Sequence, residues 1–225
     1  MQTPLRVFVG YDPNEIAAYH AFCHSVIRTS SVPVSFTPIA LKHLNGVFER
    51  ERNQLQSTEF SFSRFLTPYL SHYEGWSLFV DCDIIARDDI AKLFALADDR
   101  YAVMVCKHDY VPASDTKFLN NVQTKYKMKN WSSVMLFNNA RCKSLTTDFV
   151  NKASGLELHQ FKWLGSDDAI GGLPKTWNHL VGHDERDPTA KNVHYTIGGP
   201  YFSEYRQCEH SNAWFEDKLD MNKAF

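Results

Sequence analysis

The sequence predicts an α/β fold built around one sheet. Apolar runs of strand length recur along the 225 residues, and helical patterns separate them. Most of these runs are continuous rather than alternating, which is typical of buried, mostly parallel strands. With 44% hydrophobic and 14% aromatic residues the chain can bury a full core, and its length suits a single domain.

The first predicted unit is a strand, a tight turn and a helix. Leu5–Gly10 is the strand. Asp12 is a favourable N-cap, and Glu15 completes a pattern close to a capping box. The helix is predicted to face the sheet with Ile16, Tyr19, Cys23, Val26 and Ile27. A strand end that meets a helix N-terminus favours anionic ligands, so Asp12 is either a cap alone or also a ligand contact.

The next predicted elements are a strand and a helix. Val34–Ile39 is the strand, and the apolar residues between Phe60 and Leu70 suggest the helix, although Pro68 interrupts it. This helix would carry Arg64, whose planar guanidinium suits three roles. It is a structural surface residue, a partner of phosphate oxygens, or a residue that orients a carboxylate.

The stretch from Trp76 to Phe94 contains two paired acids. Its apolar run leads into Asp81-Cys82-Asp83, and because side chains alternate along a strand, the two aspartates share one side. Neighbouring carboxylates in an apolar setting repel each other, and a hard cation such as Mg²⁺ or Mn²⁺ relieves the repulsion. From the spacing alone, a metal site and two solvated acids are equally good interpretations.

The middle of the chain continues the alternation of elements. Asp88 and Asp89 are predicted helix caps rather than metal ligands. The further predicted elements are strands at Tyr101–Cys106 and Ser133–Phe137, a long loop at 107–129, and a helix at 145–153 with Gly155 as its C-cap.

The last third contains more polar candidates. Asp167 and Asp168 are predicted to begin a helix, and residues 173–178 to turn into a short strand. Val193–Ile197 alternates and places His194 on one side, where a lone histidine is more often structural than a ligand. A terminal helix is predicted near residues 214–219.

Composition limits the partners and the compartment. The net charge of −2 comes from nearly balanced acids and bases, so we expect a small-molecule partner and no nucleic acid. The five cysteines are scattered without a C-x-x-C pair, which argues against disulfides and a zinc cluster. No signal peptide or transmembrane segment is predicted, and we expect a cytoplasmic protein.

Several blocks together resemble a known enzyme family. They are VFVGYD before a helix, SRFLTPYL ahead of FVDCD, SSVMLFN, SDDAI followed by LPKTWN, and VHYTIGGP. In this order and spacing the chain resembles retaining glycosyltransferases of family 8, the glycogenin and lipopolysaccharide galactosyltransferase group. The resemblance implies a GT-A fold with a mixed central sheet flanked by helices. It also implies a nucleotide-binding half at about 1–105 and an acceptor and catalytic half at about 106–225.

The resemblance also implies a metal site. Asp81, Asp83 and His194 would bind Mn²⁺ or Mg²⁺, and the diphosphate of a nucleotide sugar, expected to be a UDP-sugar, would complete the metal's ligands. The sugar would pass to an unknown glycan, lipid or protein acceptor with retention of configuration.

Further roles follow from the same likeness. Tyr11 and Asp12 match the region that contacts the nucleobase and ribose. Arg64 matches a basic residue near the donor sugar and diphosphate, and Asp167 matches a carboxylate that bonds to sugar hydroxyls.

The chain departs from the family pattern at three places. Asp168 stands where the family has glutamine beside the reacting carbon, so we consider it as a nucleophile that forms a glycosyl-enzyme intermediate, with same-face attack as the alternative. Residues 131–133 read Trp-Ser-Ser in place of Asn-Ser-Gly. Gly198-Gly199-Pro200 lacks the lysine that follows in the family, which leaves Arg64 or a loop lysine such as Lys107 to stabilise diphosphate.

Two other functions compete with this interpretation. A haloacid-dehalogenase-like phosphatase also has an apolar strand that ends in D-x-D, but it normally carries this motif on the first strand. A non-catalytic nucleotide-sugar-binding protein would explain the missing lysine.

Overall fold

Two sheets form the framework of the chain. The computed structural model describes residues 3–52, 56–109 and 127–223. The strands are β1 (Leu5–Gly10), β2 (Val34–Ile39), β3 (Trp76–Val80), β4 (Ile84–Ala86), β5 (Val103–Cys106), β6 (Val134–Asn138), β7 (Ile170–Leu173), β8 (His179–Leu180) and β9 (Asn192–His194). The α-helices are α1 (Ile16–Thr29), α2 (Thr67–Leu70), α3 (Ile90–Phe94), α4 (Thr147–Lys152), α5 (Gly155–His159) and α6 (Ser211–Met221). Within these described ranges, no helix has the length and apolar character to cross a membrane.

The larger sheet is mixed. Its six strands lie in the order β2-β1-β3-β6-β5-β7. β6 runs antiparallel to both of its neighbours, and the other pairs are parallel. β1, β3, β5 and β7 therefore end at the same edge, where β6 begins, and we name this the carboxyl edge. The predicted α/β fold with a mixed sheet is confirmed.

The smaller sheet is a feature that the sequence did not predict. Its three strands lie in the order β4-β9-β8. Only Asp81, Cys82 and Asp83 separate β3 in the larger sheet from β4 in the smaller one, so the chain changes sheets across the two aspartates. β4 was missed because a three-residue strand is too short to show a period.

Helix α1 buries a face that only partly matches the predicted one: Val26 is fully buried as predicted. Ile16 and Ile27 are 44% and 66% exposed, and Tyr19 and Cys23 are only partly buried. The buried residues are Ala18, Ala21, Phe22, Ser25 and Val26. The small side chains let the helix approach β4, where Ser25 Oγ accepts a hydrogen bond from the backbone nitrogen of Ala86 at 3.0 Å. The two isoleucines therefore do not mark the buried face of α1, whereas Phe22 and Val26 do.

Other predicted boundaries also change. Gly155 is not a C-cap but the first residue of α5, because Ser154 forms a capping box with Glu157. The predicted helix over 60–70 is a 3₁₀ turn followed by α2. Asp167 and Asp168 begin a helical turn as predicted, but it is a single 3₁₀ turn that leads directly into β7. The predicted loop at 107–129 lies largely outside the described residues.

Candidate functional site

Three side chains converge beyond the carboxyl edge. Asp81 and Asp83 lie between β3 and β4, and His194 ends β9. One ligating atom from each lies within 4.8 Å of the others. β4 pairs with β9 so that Ile84 is opposite His194, and this pairing brings a residue from the last third of the chain to the aspartates. The structure thus brings together the three predicted metal ligands.

Hydrogen bonds fix the orientation of the His194 ring. Its Nδ1 lies 2.9 Å from Oδ1 of Asn178. The amide nitrogen of Asn178 donates to the carbonyl oxygen of Asn130 at 3.3 Å and to Oγ of Ser133 at 2.9 Å. Because a backbone carbonyl can only accept, the NH₂ end of Asn178 faces Asn130 and its oxygen faces the ring. Neutral His194 therefore carries its hydrogen on Nδ1 and presents a lone pair at Nε2.

This lone pair faces a carboxylate. Oδ1 of Asp83 lies 3.1 Å from Nε2 of His194, and both side chains are buried. Two acceptors so close together in a buried position require a proton or a cation between them. One imidazole nitrogen and the carboxylates of Asp81 and Asp83 suit Mn²⁺ or Mg²⁺, with oxygens of a bound ligand or water in the other positions. These residues fit a divalent cation.

Arg64 supports the site from within the protein. It is only 5% exposed, and its Nη1 donates to Oδ1 of Asp81 at 2.7 Å and to the carbonyl oxygen of Ser132 at 2.9 Å. The guanidinium lies 5.1 Å from the ring centroids of both Phe60 and Phe79. Of the three roles that the sequence left open, the observed contacts correspond to orientation of a carboxylate.

Tyr11 and Asp12 follow β1 at the same edge. Oδ1 of Asp12 accepts from the backbone nitrogen of Asn14 at 2.9 Å, and Oδ2 accepts from the backbone nitrogen of Glu59 at 3.1 Å. Asp12 is 2% exposed, so it caps the start of a helical turn and ties a second segment to it. Tyr11 packs its ring edge-on against Tyr19, with centroids 5.4 Å apart, and keeps partial exposure at the strand end.

Asp167 and Asp168 lie elsewhere on the sheet. They precede β7, whose first residue Ile170 pairs with Val103 at the start of β5. Their position in register is therefore the edge opposite the carboxyl edge. Both are exposed, and Asp168 accepts from Oγ of Ser166 at 3.2 Å. The described conformation does not place either carboxylate beside Asp81, and their catalytic role stays a prediction.

The segment before α6 also reaches the carboxyl edge. The Tyr201 hydroxyl donates to Oε1 of Glu15 at 2.5 Å, and burial, followed by the nearby charges of Glu15 and Asp83, raises the pKa of Tyr201 well above its ordinary value. Cys82, between the two aspartates, is fully buried. Burial and the charge of Glu15 raise the pKa of its thiol.

Sequence reasoning missed two residues of this site. Asn178 was expected only in a turn, although its amide orients His194. His108 follows β5 at the carboxyl edge and is 4% exposed. Burial lowers the pKa of His108 to about 4, so its ring is neutral at pH 7. A signal was available for His108, because it closely follows a strand that ends at this edge. Asn178 lies directly before β8 and carries no such signal.

Solved structures share this fold across nearly the whole chain. The bifunctional glycosyltransferase WbbM matches with a TM-score of 0.68 and 14% identity, over 96% of this chain and 50% of that one. This chain therefore spans half the length of WbbM. Galactosyltransferase LgtC, in complex with donor and acceptor sugar analogs, matches with a TM-score of 0.55 and 12% identity over 98% of both chains. At these identities the likeness establishes the fold, which is that of GT-A glycosyltransferases.

A full-length sequence relative gives a closer relationship. No protein-family model matches the chain. Protein CDI of Arabidopsis thaliana is 49% identical over 229 residues, which cover 98% of this chain and 88% of that protein. The chain belongs to the same family as Arabidopsis protein CDI.

Proposed function

We propose that this protein is a metal-dependent glycosyltransferase that moves a sugar from a UDP-sugar to a glycan, lipid or protein acceptor with retention of configuration. The observation that carries the proposal is the buried Asp83–His194 pair beside Asp81, with Nε2 of His194 3.1 Å from Oδ1 of Asp83. The fold supports the same class, because its solved neighbours are glycosyltransferases. The phosphatase alternative has no such support.

Each residue of the site has a distinct task in this proposal. Asp81, Asp83 and His194 would hold Mn²⁺ or Mg²⁺, which would supply positive charge to the diphosphate as it leaves. Arg64 holds Asp81 in place through its 2.7 Å contact. Tyr11 offers an aromatic face to the nucleobase at the end of β1, and Asp12 shapes the turn that receives the ribose.

The stereochemical course has two candidate routes. A covalent intermediate on Asp168 requires the carboxylate to reach the carboxyl edge, whereas register places it at the opposite edge. We therefore favour same-face attack by the acceptor. The proposed hydrogen bonds from sugar hydroxyls to Asp167 require residues 167–169 to move to the carboxyl edge.

Intact-protein mass spectrometry tests the Asp168 route. Wild type and Asp168→Asn are incubated with donor and Mn²⁺ but without acceptor. We expect no glycosyl adduct on either protein. An adduct that forms on wild type and is absent from Asp168→Asn would establish the covalent route.

Donor hydrolysis tests the function itself. A panel of nucleotide sugars is assayed with Mn²⁺, with Mg²⁺ and with chelator, using wild type, Asp83→Ala and the control Asp148→Ala. The Asp148→Ala control removes the same carboxylate group from a surface side chain that is 71% exposed. We expect metal-dependent hydrolysis in wild type and the control, and its abolition in Asp83→Ala with an unchanged circular dichroism spectrum.

The outcomes separate the remaining alternatives. Binding of UDP with Mn²⁺ without any turnover would identify a non-catalytic nucleotide-sugar-binding protein. Release of phosphate from a generic phosphoester, insensitive to nucleotide sugars, would identify a phosphatase instead.

A further inference from the structure

A second group of metal-ligating side chains lies on the other side of the small sheet. His179 begins β8, and Glu209 and His210 form the turn before α6. His179 pairs with Val193, the neighbour of His194 on β9. Because successive side chains of a strand point to opposite faces, His179 and His194 lie on opposite faces of the sheet. The group is therefore separate from the carboxyl-edge site.

The ligating atoms of this group converge on one point. Oε1 of Glu209 lies 3.3 Å from Nε2 of His179 and 3.1 Å from Nε2 of His210. The histidine side chains are 4% and 7% exposed, and the glutamate side chain is 20% exposed. Two imidazole nitrogens and one carboxylate oxygen thus share a largely dry position.

None of these three atoms makes a directional hydrogen bond. His179 Nε2, Glu209 Oε1 and His210 Nε2 are all buried without a hydrogen-bond partner among the described residues. The distances are short enough, but the ring N–H directions do not align with the carboxylate oxygen. A buried polar atom without a partner costs about 1–3 kcal/mol, and three such atoms at one point indicate a ligand that bonds to all of them.

Charges of both signs surround this point. Oδ2 of Asp184 lies 4.0 Å from Nδ1 of His179, which is beyond hydrogen-bond distance but adds negative charge beside the group. To bind a metal through Nε2, His179 must carry its ring hydrogen on Nδ1. On the outer side, the exposed Arg87 approaches Nδ1 of His210 at 3.4 Å. Metal binding there requires the ring hydrogen to move to Nδ1 and the Arg87 side chain to swing into solvent.

We propose that His179, Glu209 and His210 form a second metal site that binds one Zn²⁺-like ion. Two imidazoles and one carboxylate are a donor set typical of Zn²⁺, with water in the fourth position, and they are softer than the oxygen-rich set that suits Mg²⁺. The ion would join β8 to the start of α6. It would thereby hold the C-terminal segment that brings Tyr201 to Glu15.

The experiment measures Zn²⁺ binding after the first site has been disabled. Full-length Asp83→Ala protein is stripped with chelator, dialysed against Zn²⁺ and analysed by plasma mass spectrometry and calorimetry. Two variants are compared in this background: His179→Asn/His210→Asn, and the matched control His20→Asn/His43→Asn, which removes two exposed histidines. We expect one bound equivalent in the background and the control, its loss in the first variant, and a Zn²⁺-dependent rise in Tm only where the ion binds.

Two results of the Zn²⁺ measurement would overturn the proposal. One is an Asp83→Ala protein that retains no Zn²⁺, and the other is equal retention in the His179→Asn/His210→Asn variant and the control. If the His179→Asn/His210→Asn variant does not fold, the Glu209→Gln variant is used in its place, because glutamine keeps the shape of the side chain. Co²⁺ is then the spectroscopic probe. A visible Co²⁺ spectrum that is the same with and without Glu209→Gln would likewise overturn it. None of these readouts depends on donor turnover.

Discussion

At the scale of single residues, the orientation of His194 depends on the side-chain amide of Asn178, which takes part in no reaction step. Asn178 accepts from Nδ1 of His194 at 2.9 Å and is itself held by Asn130 and Ser133. Partners of this kind set the tautomer and direction of a metal-binding histidine. Asn178 is therefore a positioning residue for the proposed cation.

Replacement of this amide should weaken metal binding without unfolding the protein. We expect Asn178→Ala to lower Mn²⁺ affinity by about 10–100-fold, because the His194 ring loses its orientation. Calorimetry with Mn²⁺ measures the effect, and Asn222→Ala, at an exposed position, is the control. If Asn178→Ala lowers Tm in chelator but leaves the Mn²⁺ affinity unchanged, its role is only structural.

Residue roles show where sequence reasoning stops. The spacing Asp81-x-Asp83 predicts a paired site, but an alternating strand cannot indicate that His194 lies opposite Ile84, because that pairing joins distant parts of the chain. The resemblance to the glycosyltransferase family identified His194 as a metal ligand, and only the hydrogen bonds in the structure identified Asn178. Arg64 could be predicted near the site, but its partner could not, since three roles suit one guanidinium.

At the scale of elements, the end of β1 packs against the helical turn that carries Arg64. A Cβ on Gly10 would lie 2.5 Å from the ring of Phe60. Phe60 is 1% exposed, and its ring lies 5.1 Å from the Arg64 guanidinium. A side chain at position 10 would therefore disturb the packing behind the candidate site.

A pair of glycine substitutions tests this contact. We expect Gly10→Ala to destabilise the protein by about 1–3 kcal/mol through overpacking. Gly172→Ala, in edge strand β7 with no atom within 4 Å of its added Cβ, should be neutral or stabilising by about 0.4–1 kcal/mol. Urea unfolding measures both. Equal stability of the two variants would contradict tight packing at Gly10.

The longer strands were predicted more accurately than most short strands, for a physical reason. β1 and β2 have the predicted bounds because each lies between clear turn signals. β1 is mostly buried, whereas β2 alternates between partly buried and exposed residues and buries only Ile39. β4, β7 and β8 have two to four residues each, and their pairing depends on partners that are distant in sequence rather than on a local period. The buried face of α1 was predicted only in part for a related reason, since a close approach to β4 selects alanine and serine over isoleucine.

At the scale of the whole molecule, histidines that are fully or partly buried link folding to pH. Burial is the main cause that lowers the pKa values of His108, His159, His183 and His210. His159 has Nδ1 2.7 Å from Oγ of Ser132, and the Arg64 charge lies nearby. Its ring is neutral in the folded state under conditions that protonate the unfolded chain.

The sign of the effect follows from linkage. The unfolded state takes up a proton on His159 as pH falls below the ordinary value of 6.5, whereas the folded state does so only at lower pH. Stability is therefore complete above that value and falls on acidification, by up to about 1.4 kcal/mol per pH unit for each such group.

Replacement of His159 should reduce this acid sensitivity. We expect His159→Gln to show a shallower loss of unfolding free energy between about pH 6.5 and pH 5. Urea unfolding across this range measures the slope, and His20→Gln, at an exposed position, should retain the wild-type slope. An identical slope in all three proteins would show that His159 titrates alike in the folded and unfolded states.

The pairing of β4 with β9 brings together ligand residues of the candidate site that are synthesised at different times. Asp81 and Asp83 leave the ribosome with the first half of the chain, and His194 follows only after the larger sheet has received its last strand, β7. Nascent chains fold from their N-terminus as synthesis proceeds. A chain stalled after β6 would carry both aspartates without the histidine, so the complete three-ligand cation site is acquired late in synthesis.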